Sequence, residues 1–170
     1  MKSNLVLVGF MGAGKSVIGK TLAKMLEMDI VDTDKMIESK MNMKINEIFE
    51  KYGEEYFRNI ETEIAKDCLN FSNTIISTGG GIVLKEENIN YLKQNSVVFL
   101  LNASAETIYD RVKNKTDRPL LKVENPLEKI KEMLEFRKKY YEGSADHIIT
   151  TDNKSIMEVS SEIKKIYITN

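Results

Sequence analysis

Five short apolar runs, separated by longer stretches with helical spacing, set the plan of the chain. Leu5-Val6-Leu7-Val8, Asp29-Ile30-Val31-Asp32, Thr74-Ile75-Ile76-Ser77, Val97-Val98-Phe99-Leu100-Leu101 and His147-Ile148-Ile149-Thr150 predict strands. The fourth is apolar throughout, as expected of a strand buried on both faces. Between the runs, apolar residues recur every three or four positions. Ile18, Leu22, Met25 and Leu26 share one side of a helix over residues 15 to about 28. From residue 35 to about 69 the pattern is again helical. Ile45, Ile48, Phe49 and Tyr52 share a face, Gly53 is a stop, and Phe57, Ile60, Ile64 and Cys68 form a second stripe.

Shorter helices follow. Ile89 and Leu92 point inward over residues 85–94, and Ser104 caps a helix carrying Ile108, Arg111 and Val112. Asn125-Pro126 with Glu128 starts a helix that runs to about residue 141, with Ile130, Met133 and Leu134 inward. Ser155-Ile156-Met157-Glu158 is a capping box for the last helix, with Ile156, Val159 and Ile163 facing the sheet. Strands alternating with helices predict an α/β sandwich around a mostly parallel sheet. Periodicity gives no strand order.

Composition narrows the function. A chain of 170 residues is expected to form one domain, and a net charge of −1 offers no surface for nucleic acid or membrane. The single cysteine, Cys68, excludes an intramolecular disulfide, and its helical neighbours Ile60 and Ile64 point to a packing role. No run is long enough to span a bilayer. The first apolar run passes straight into a glycine-rich loop, so it reads as a core strand and not a secretory signal. A cytoplasmic location and a monomer are the expectations. His147, the one histidine, reads as a surface residue at a strand start.

The chemistry begins at Gly9-Phe10-Met11-Gly12-Ala13-Gly14-Lys15-Ser16, which fits the phosphate-loop pattern G-x-x-x-x-G-K-[ST] at every specified position. A loop of this kind between strand and helix turns backbone N–H groups inward to an anion at the positive end of the helix. Lys15 then reaches the terminal phosphates and the Ser16 hydroxyl can ligate Mg²⁺. A tight turn alone needs one or two glycines and has no use for the Lys-Ser pair. The chain is therefore expected to bind a nucleoside triphosphate.

Other residues fall on the same edge. Asp32 and Asp34 follow the second strand, and ligands of open α/β sheets bind beyond the carboxyl ends of the strands. Thr78-Gly79-Gly80-Gly81 follows the third strand. Consecutive glycines there imply either a close approach by another backbone or a ligand, or a flexible turn. Arg58 flanks the Phe57 stripe and, on helical spacing alone, is a solvated arginine. Residues 114–121, Asn-Lys-Thr-Asp-Arg-Pro-Leu-Leu, read as an exposed loop and a candidate lid. Asn114-Lys115-Thr116-Asp117 also matches the N-K-x-D guanine signature. It follows a helix and not a strand, and no D-x-x-G segment accompanies it, so the match reads as chance.

The phosphate loop, Asp32-x-Asp34, Phe57-Arg58-x-x-Glu61, Gly79-Gly80-Gly81, Arg118-Pro119-Leu120-Leu121 and Arg137, in this order and at these separations, resemble the shikimate kinases across nearly the whole chain. The resemblance implies a three-layer α/β/α fold of the P-loop type, with a five-stranded parallel sheet in order 2-3-1-4-5. It implies a helical substrate-binding region over about residues 33–61 and a lid over about 112–124. The implied reaction is ATP plus shikimate giving ADP plus shikimate 3-phosphate, with Mg²⁺. By position, Gly12, Ala13, Gly14, Lys15, Ser16 and Val17 resemble the nucleotide-binding loop, and Arg111 the arginine beside adenine. Arg118 resembles the lid arginine that reaches the transferring phosphate. Asp34 resembles the base or orienting group at the shikimate hydroxyls. Arg58 and Arg137, with Gly80 and Gly81 beside them, resemble the clamp on the substrate carboxylate. Asp32 resembles an outer-sphere partner of the Mg²⁺ held by Ser16. The resemblance weakens at Thr151-Asp152-Asn153-Lys154, where the family places an adenine loop. The rival expectations are another small-metabolite kinase, such as a gluconokinase-like or nucleoside monophosphate kinase, and a nucleotide-dependent switch with no acceptor.

Overall fold

A computed structural model describes residues 2–114 and 122–169. In chain order the elements are β1 (Asn4–Val8), α1 (Lys15–Leu26), β2 (Asp29–Asp32), α2 (Thr33–Met41), α3 (Ile45–Asp67), β3 (Thr74–Ser77), α4 (Glu86–Asn95), β4 (Ser96–Asn102), α5 (Ala105–Val112), α6 (Pro126–Ser144), β5 (His147–Thr150) and α7 (Ile156–Thr169). Short 3₁₀ turns at Cys68–Asn70 and Ile82–Leu84 flank β3. The sheet has five parallel strands in the order β2-β3-β1-β4-β5. The expected α/β sandwich and the implied strand order both hold.

The period of two along each strand divides the core. Leu5 and Leu7 of β1, with Ile75, Val97, Phe99, Leu101 and Ile149, face α1 and α7 through Ile18, Leu22, Val159 and Ile163. Val6, Val8, Ile76, Val98 and Leu100 face the other layer, where Ile89, Leu92, Ile108, Ile130 and Tyr141 meet them. Burial on both faces is why these strands are continuous apolar runs. A third cluster, Ile37, Ile48, Phe57, Ile60 and Ile64, joins α2 to α3 at the β2 side. Cys68 is buried in the core, as its spacing predicts.

The stop expected at Gly53 holds, while several other local expectations need correction. The helical stretch after residue 35 is interrupted twice. Asn42, in a left-handed conformation, ends α2, and Gly53 leaves helical geometry at φ 80° and ψ 174° inside α3. Tyr52 is exposed and stacks on Tyr56 instead of joining the stripe, and Ile156 is exposed while Val159 and Ile163 are buried. Asn125 makes no side-chain capping bond; Pro126 and the first-turn Glu128 mark the start of α6, which runs beyond Tyr141 to Ser144. Ser104 and the Ser155/Glu158 box do cap their helices, the latter through bonds of 2.7 and 3.2 Å.

Candidate active site

Three strand ends supply the site. Asp32 of β2 is in register with Ser77 of β3, and Ser77 with Leu7 of β1. The phosphate loop, the Asp32-Thr33-Asp34 turn and Gly79-Gly80-Gly81 therefore leave the sheet along one edge. β1 lies between β3 and β4, which is the switch point where such sheets hold ligands.

Gly14 caps α1 in a left-handed conformation (φ 102°, ψ 11°) that disfavours any Cβ. No side chain caps α1, and no acid stands in its first turn. Its leading N–H groups and the positive end of its dipole are therefore directed to an anion. Lys15 is buried, with its ammonium donating to the carbonyls of Gly9 (2.6 Å) and Phe10 (3.0 Å). The Ser16 hydroxyl is 3.5 Å from Asp32 Oδ2, while Val17, the last residue expected in the nucleotide set, is exposed.

Asp32 serves two neighbours. Its Oδ1 accepts from the N–H groups of Asp34 (3.0 Å) and Lys35 (3.2 Å), capping α2, while Oδ2 faces Ser16. Two hard oxygen donors in this arrangement suit Mg²⁺ completed by water and phosphate. Among the described residues no group of three or more His, Cys, Asp or Glu could hold a metal by itself. The cap sets Asp34 in the first turn of α2. Burial raises the Asp34 pKa above its usual 3.8, helped by the Asp32 and Glu38 carboxylates and opposed by the Lys15 and Arg58 cations.

The three glycines are explained by what crowds them. A Cβ on Gly79 would lie 2.5 Å from Asp34 Oδ1, and the Gly79 N–H donates to the Thr33 hydroxyl at 3.0 Å. A Cβ on Gly80 would lie 3.5 Å from Gly9 O and Met11 N of the phosphate loop. A Cβ on Gly81 would lie 2.6 Å from Arg58 Nη2. The close approach expected here therefore comes mainly from two side chains, with loop backbone against the middle glycine.

Arg58 is not solvated. Its Nη1 donates to the buried Glu61 at 2.8 Å and its Nη2 to Glu54 at 3.3 Å. Its Nε is a buried donor with no hydrogen-bond partner among the described residues, which suits an incoming acceptor group. Burial raises the Glu61 pKa, against the pull of Arg58. Arg137 arrives from α6. Its Nη1 is 3.4 Å from Gly80 O, and its guanidinium lies 5.7 Å from the Phe10 ring centre. Two guanidinium groups thus flank successive glycines beside the phosphate loop.

Arg111 bridges two loops. Nη1 donates to Gly12 O and Ala13 O (both 3.3 Å) and to Thr151 Oγ1 (3.1 Å), and Nη2 to Thr151 O (3.2 Å). The turn after β5 is fastened to α5 by Asp152, which accepts from the Ser104 N–H at 3.0 Å. Arg118, and residues 115–121 of the expected lid, lie outside the described residues. Spacing missed two site residues. Glu61 was legible only as part of a motif, and Tyr141, whose hydroxyl donates to Gly80 O at 2.7 Å, follows Arg137 by one helical turn.

A family model described as shikimate kinase matches residues 11–167. A shikimate kinase of Thermodesulfovibrio yellowstonii is 48% identical over 164 residues, covering 96% of this chain and 94% of that protein. One of Caldanaerobacter subterraneus is 44% identical over 165 residues, covering 97% and 96%. The structure of the Acinetobacter baumannii shikimate kinase in complex with shikimate superposes with a TM-score of 0.92 at 34% identity, covering 99% of this chain and 94% of that one. From the phosphate loop to the last helix, the chain belongs to the shikimate kinase family.

Proposed function

We propose that this chain transfers the γ-phosphoryl group of ATP to the 3-hydroxyl of shikimate, giving shikimate 3-phosphate and ADP on the way to the aromatic amino acids. Family membership supports the reaction. The observation that carries the residue roles is the convergence of Asp34 and Arg58 on the two outer glycines of one turn, next to the phosphate loop.

Phosphoryl transfer is mostly positioning and electrostatics. The α1 N–H groups and Lys15 hold the phosphates. Arg111 keeps the loop in register with the turn after β5, beside the adenine. Ser16 and Asp32 would hold Mg²⁺, Asp32 through water, and the ion would supply positive charge against the phosphates. Arg58 and Arg137 grip the planar carboxylate of shikimate with bidentate forks. Asp34 orients the attacking hydroxyl and takes its proton as the new P–O bond forms and the bond to the ADP oxygen breaks. A carboxyl of raised pKa is a better proton acceptor than an ordinary one. Arg118, by its place in the sequence, is the cation for the moving phosphoryl oxygens. The chain acts as one domain and a monomer, with residues 33–61 as the acceptor-binding region and 112–124 as the lid. No helix among the described residues is long and apolar enough to cross a membrane, and the reading is of a cytoplasmic enzyme.

The test is ADP release with a panel of acceptors. Shikimate should stimulate it far above gluconate or any nucleoside monophosphate. A rate with shikimate no higher than the ATP-only background would overturn the reading.

A further inference from the structure

Tyr141 sits fourth after Arg137 on α6, so the two side chains share a face. The phenol is buried and has one proton, which it donates to Gly80 O at 2.7 Å. Arg137 Nη1 reaches the same oxygen at 3.4 Å, the outer limit of a hydrogen bond. Burial lifts the Tyr141 pKa above 10.0 although the Arg137 and Arg58 cations pull it down, so the phenol keeps its proton at neutral pH. Arg137 also lies close enough to act on the phenol oxygen itself, whose lone pairs remain for its N–H groups.

A part-buried carbonyl seeks a donor. Here two donors reach one oxygen, and the tyrosine holds it at the much shorter distance. The guanidinium is therefore committed to Gly80 only weakly. The guanidinium also lies 5.7 Å from the Phe10 ring centre.

We propose that Tyr141 is a positioning residue for the acceptor site: by satisfying Gly80 O it releases Arg137 to bind the substrate carboxylate and pins the glycine turn between Asp34 and Arg58. This rests on the reading of Arg137 as a carboxylate ligand. Loss of the hydroxyl turns Gly80 O toward Arg137 and draws the guanidinium out of the clamp.

The test is Tyr141→Phe, which removes only the hydroxyl. KM for shikimate should rise about tenfold, the scale of one lost hydrogen bond, with kcat changed less than about twofold and KM for ATP unchanged. The decisive readout is selectivity. The ratio of kcat/KM for shikimate to that for its uncharged carboxamide should fall about tenfold. Tyr141→Met, which fills the same space without a donor, should give the same loss of selectivity. In an Arg137→Ala background neither change should alter KM for shikimate further. An unchanged ratio in both tyrosine variants, or equal losses for both acceptors, overturns the proposal. If Arg137→Ala itself leaves KM for shikimate at the wild-type value, the carboxylate clamp is wrong; if it raises KM and the tyrosine variants do not, only the role of Tyr141 fails.

Discussion

The Arg58 guanidinium occupies the volume that a side chain on residue 81 would need: a Cβ built on Gly81 lies 2.6 Å from Nη2 and 2.7 Å from Cζ. Gly81 itself has ordinary dihedrals (φ −95°, ψ −1°) that alanine adopts without strain. The atom in the way is the far end of a flexible side chain, so the fold can accommodate the methyl by moving Arg58. The methyl adds no backbone strain, but displacing Arg58 loosens its pair with buried Glu61, so Gly81→Ala should destabilise by up to about 3 kcal/mol. It should raise KM for shikimate at least about thirtyfold, on the scale of about 2–5 kcal/mol for disrupting a hydrogen-bonded charge pair. Steady-state kinetics with thermal melting on the same sample checks both. A normal KM would mean that Arg58 does not hold the acceptor.

Glu61 holds that guanidinium from behind. It is 1% exposed and accepts from Arg58 Nη1 at 2.8 Å, while Glu54 on the other side is exposed. Removing one member of a buried pair leaves the other charge uncompensated, at about 3–5 kcal/mol. Arg58 keeps Glu54, so Glu61→Ala should cost near the lower end, about 3 kcal/mol. Denaturant unfolding measures it. The variant should also lose shikimate affinity while KM for ATP stays within about twofold, since Glu61 supports only the acceptor side.

Asp34 gives a pH signature of definite sign. Its pKa is raised in the fold from 3.8, first by burial and next by Asp32. The folded state therefore binds the proton more tightly than the unfolded chain. Wild-type stability attributable to Asp34 is fully present below 3.8 and is lost as pH rises through the higher folded value. Asp34→Asn does not titrate. Its melting temperature relative to wild type should climb across that window and then level off. Its turnover should fall by about 10² or more with ATP binding preserved. In the wild type, the acid limb of kcat/KM should lie above 3.8. A variant that keeps its turnover would remove Asp34 from the chemistry.

The legibility of the site follows the distance over which its chemistry is written. Gly9 to Ser16 are consecutive, so strand, loop, anion site and helix start can be read from eight letters. Asp32 and Asp34 are one residue apart at a strand end, and the sheet rule places them. Arg58, Gly81 and Arg137 come from α3, the β3 end and α6. Only tertiary packing brings them together, and helical spacing alone places Arg58 in solvent. The family resemblance supplied that pairing; periodicity could not. The glycines show the same limit. A run of three after a strand signals crowding, yet Asp34 and Arg58 as the crowding groups appear only in three dimensions. Tyr52 and Ile156 depart from their expected stripes for a simpler reason: a helix packed on one side tolerates apolar residues outside its buried face.

Cys68 tests the core without touching the site. It is buried, and burial pushes its thiol up to about 12, with the Asp67 carboxylate adding to the shift. At pH 7.5 the thiolate is then present at roughly one part in 10⁴ or less, and the thiolate is the reacting species. Iodoacetamide should leave the native chain unlabelled over hours and label it stoichiometrically in guanidinium chloride, by intact mass. Rapid native labelling would mean that the 3₁₀ turn at Cys68–Asn70 opens on its own.

The Lys15 ammonium donates to two carbonyls of its own loop, Gly9 O (2.6 Å) and Phe10 O (3.0 Å). Those carbonyls lie in the same loop that Gly80 packs against. An ammonium held inside the loop is preorganised, so little side-chain entropy is lost when it turns to the β- and γ-phosphates. Lys15→Ala removes the cation that neutralises charge on the transferring group. It should lower kcat by about 10² or more, on the scale of about 3–4 kcal/mol for one lost electrostatic contact to the transition state. It also strips a donor from two loop carbonyls, at about 1 kcal/mol each at most if water replaces it, so the fold should persist. Single-turnover kinetics at saturating ATP separates the loss in the chemical step from a weaker nucleotide site. Circular dichroism confirms that the variant is folded. A kcat within threefold of wild type would take Lys15 out of the mechanism and leave the dipole of α1 and the metal to carry the charge.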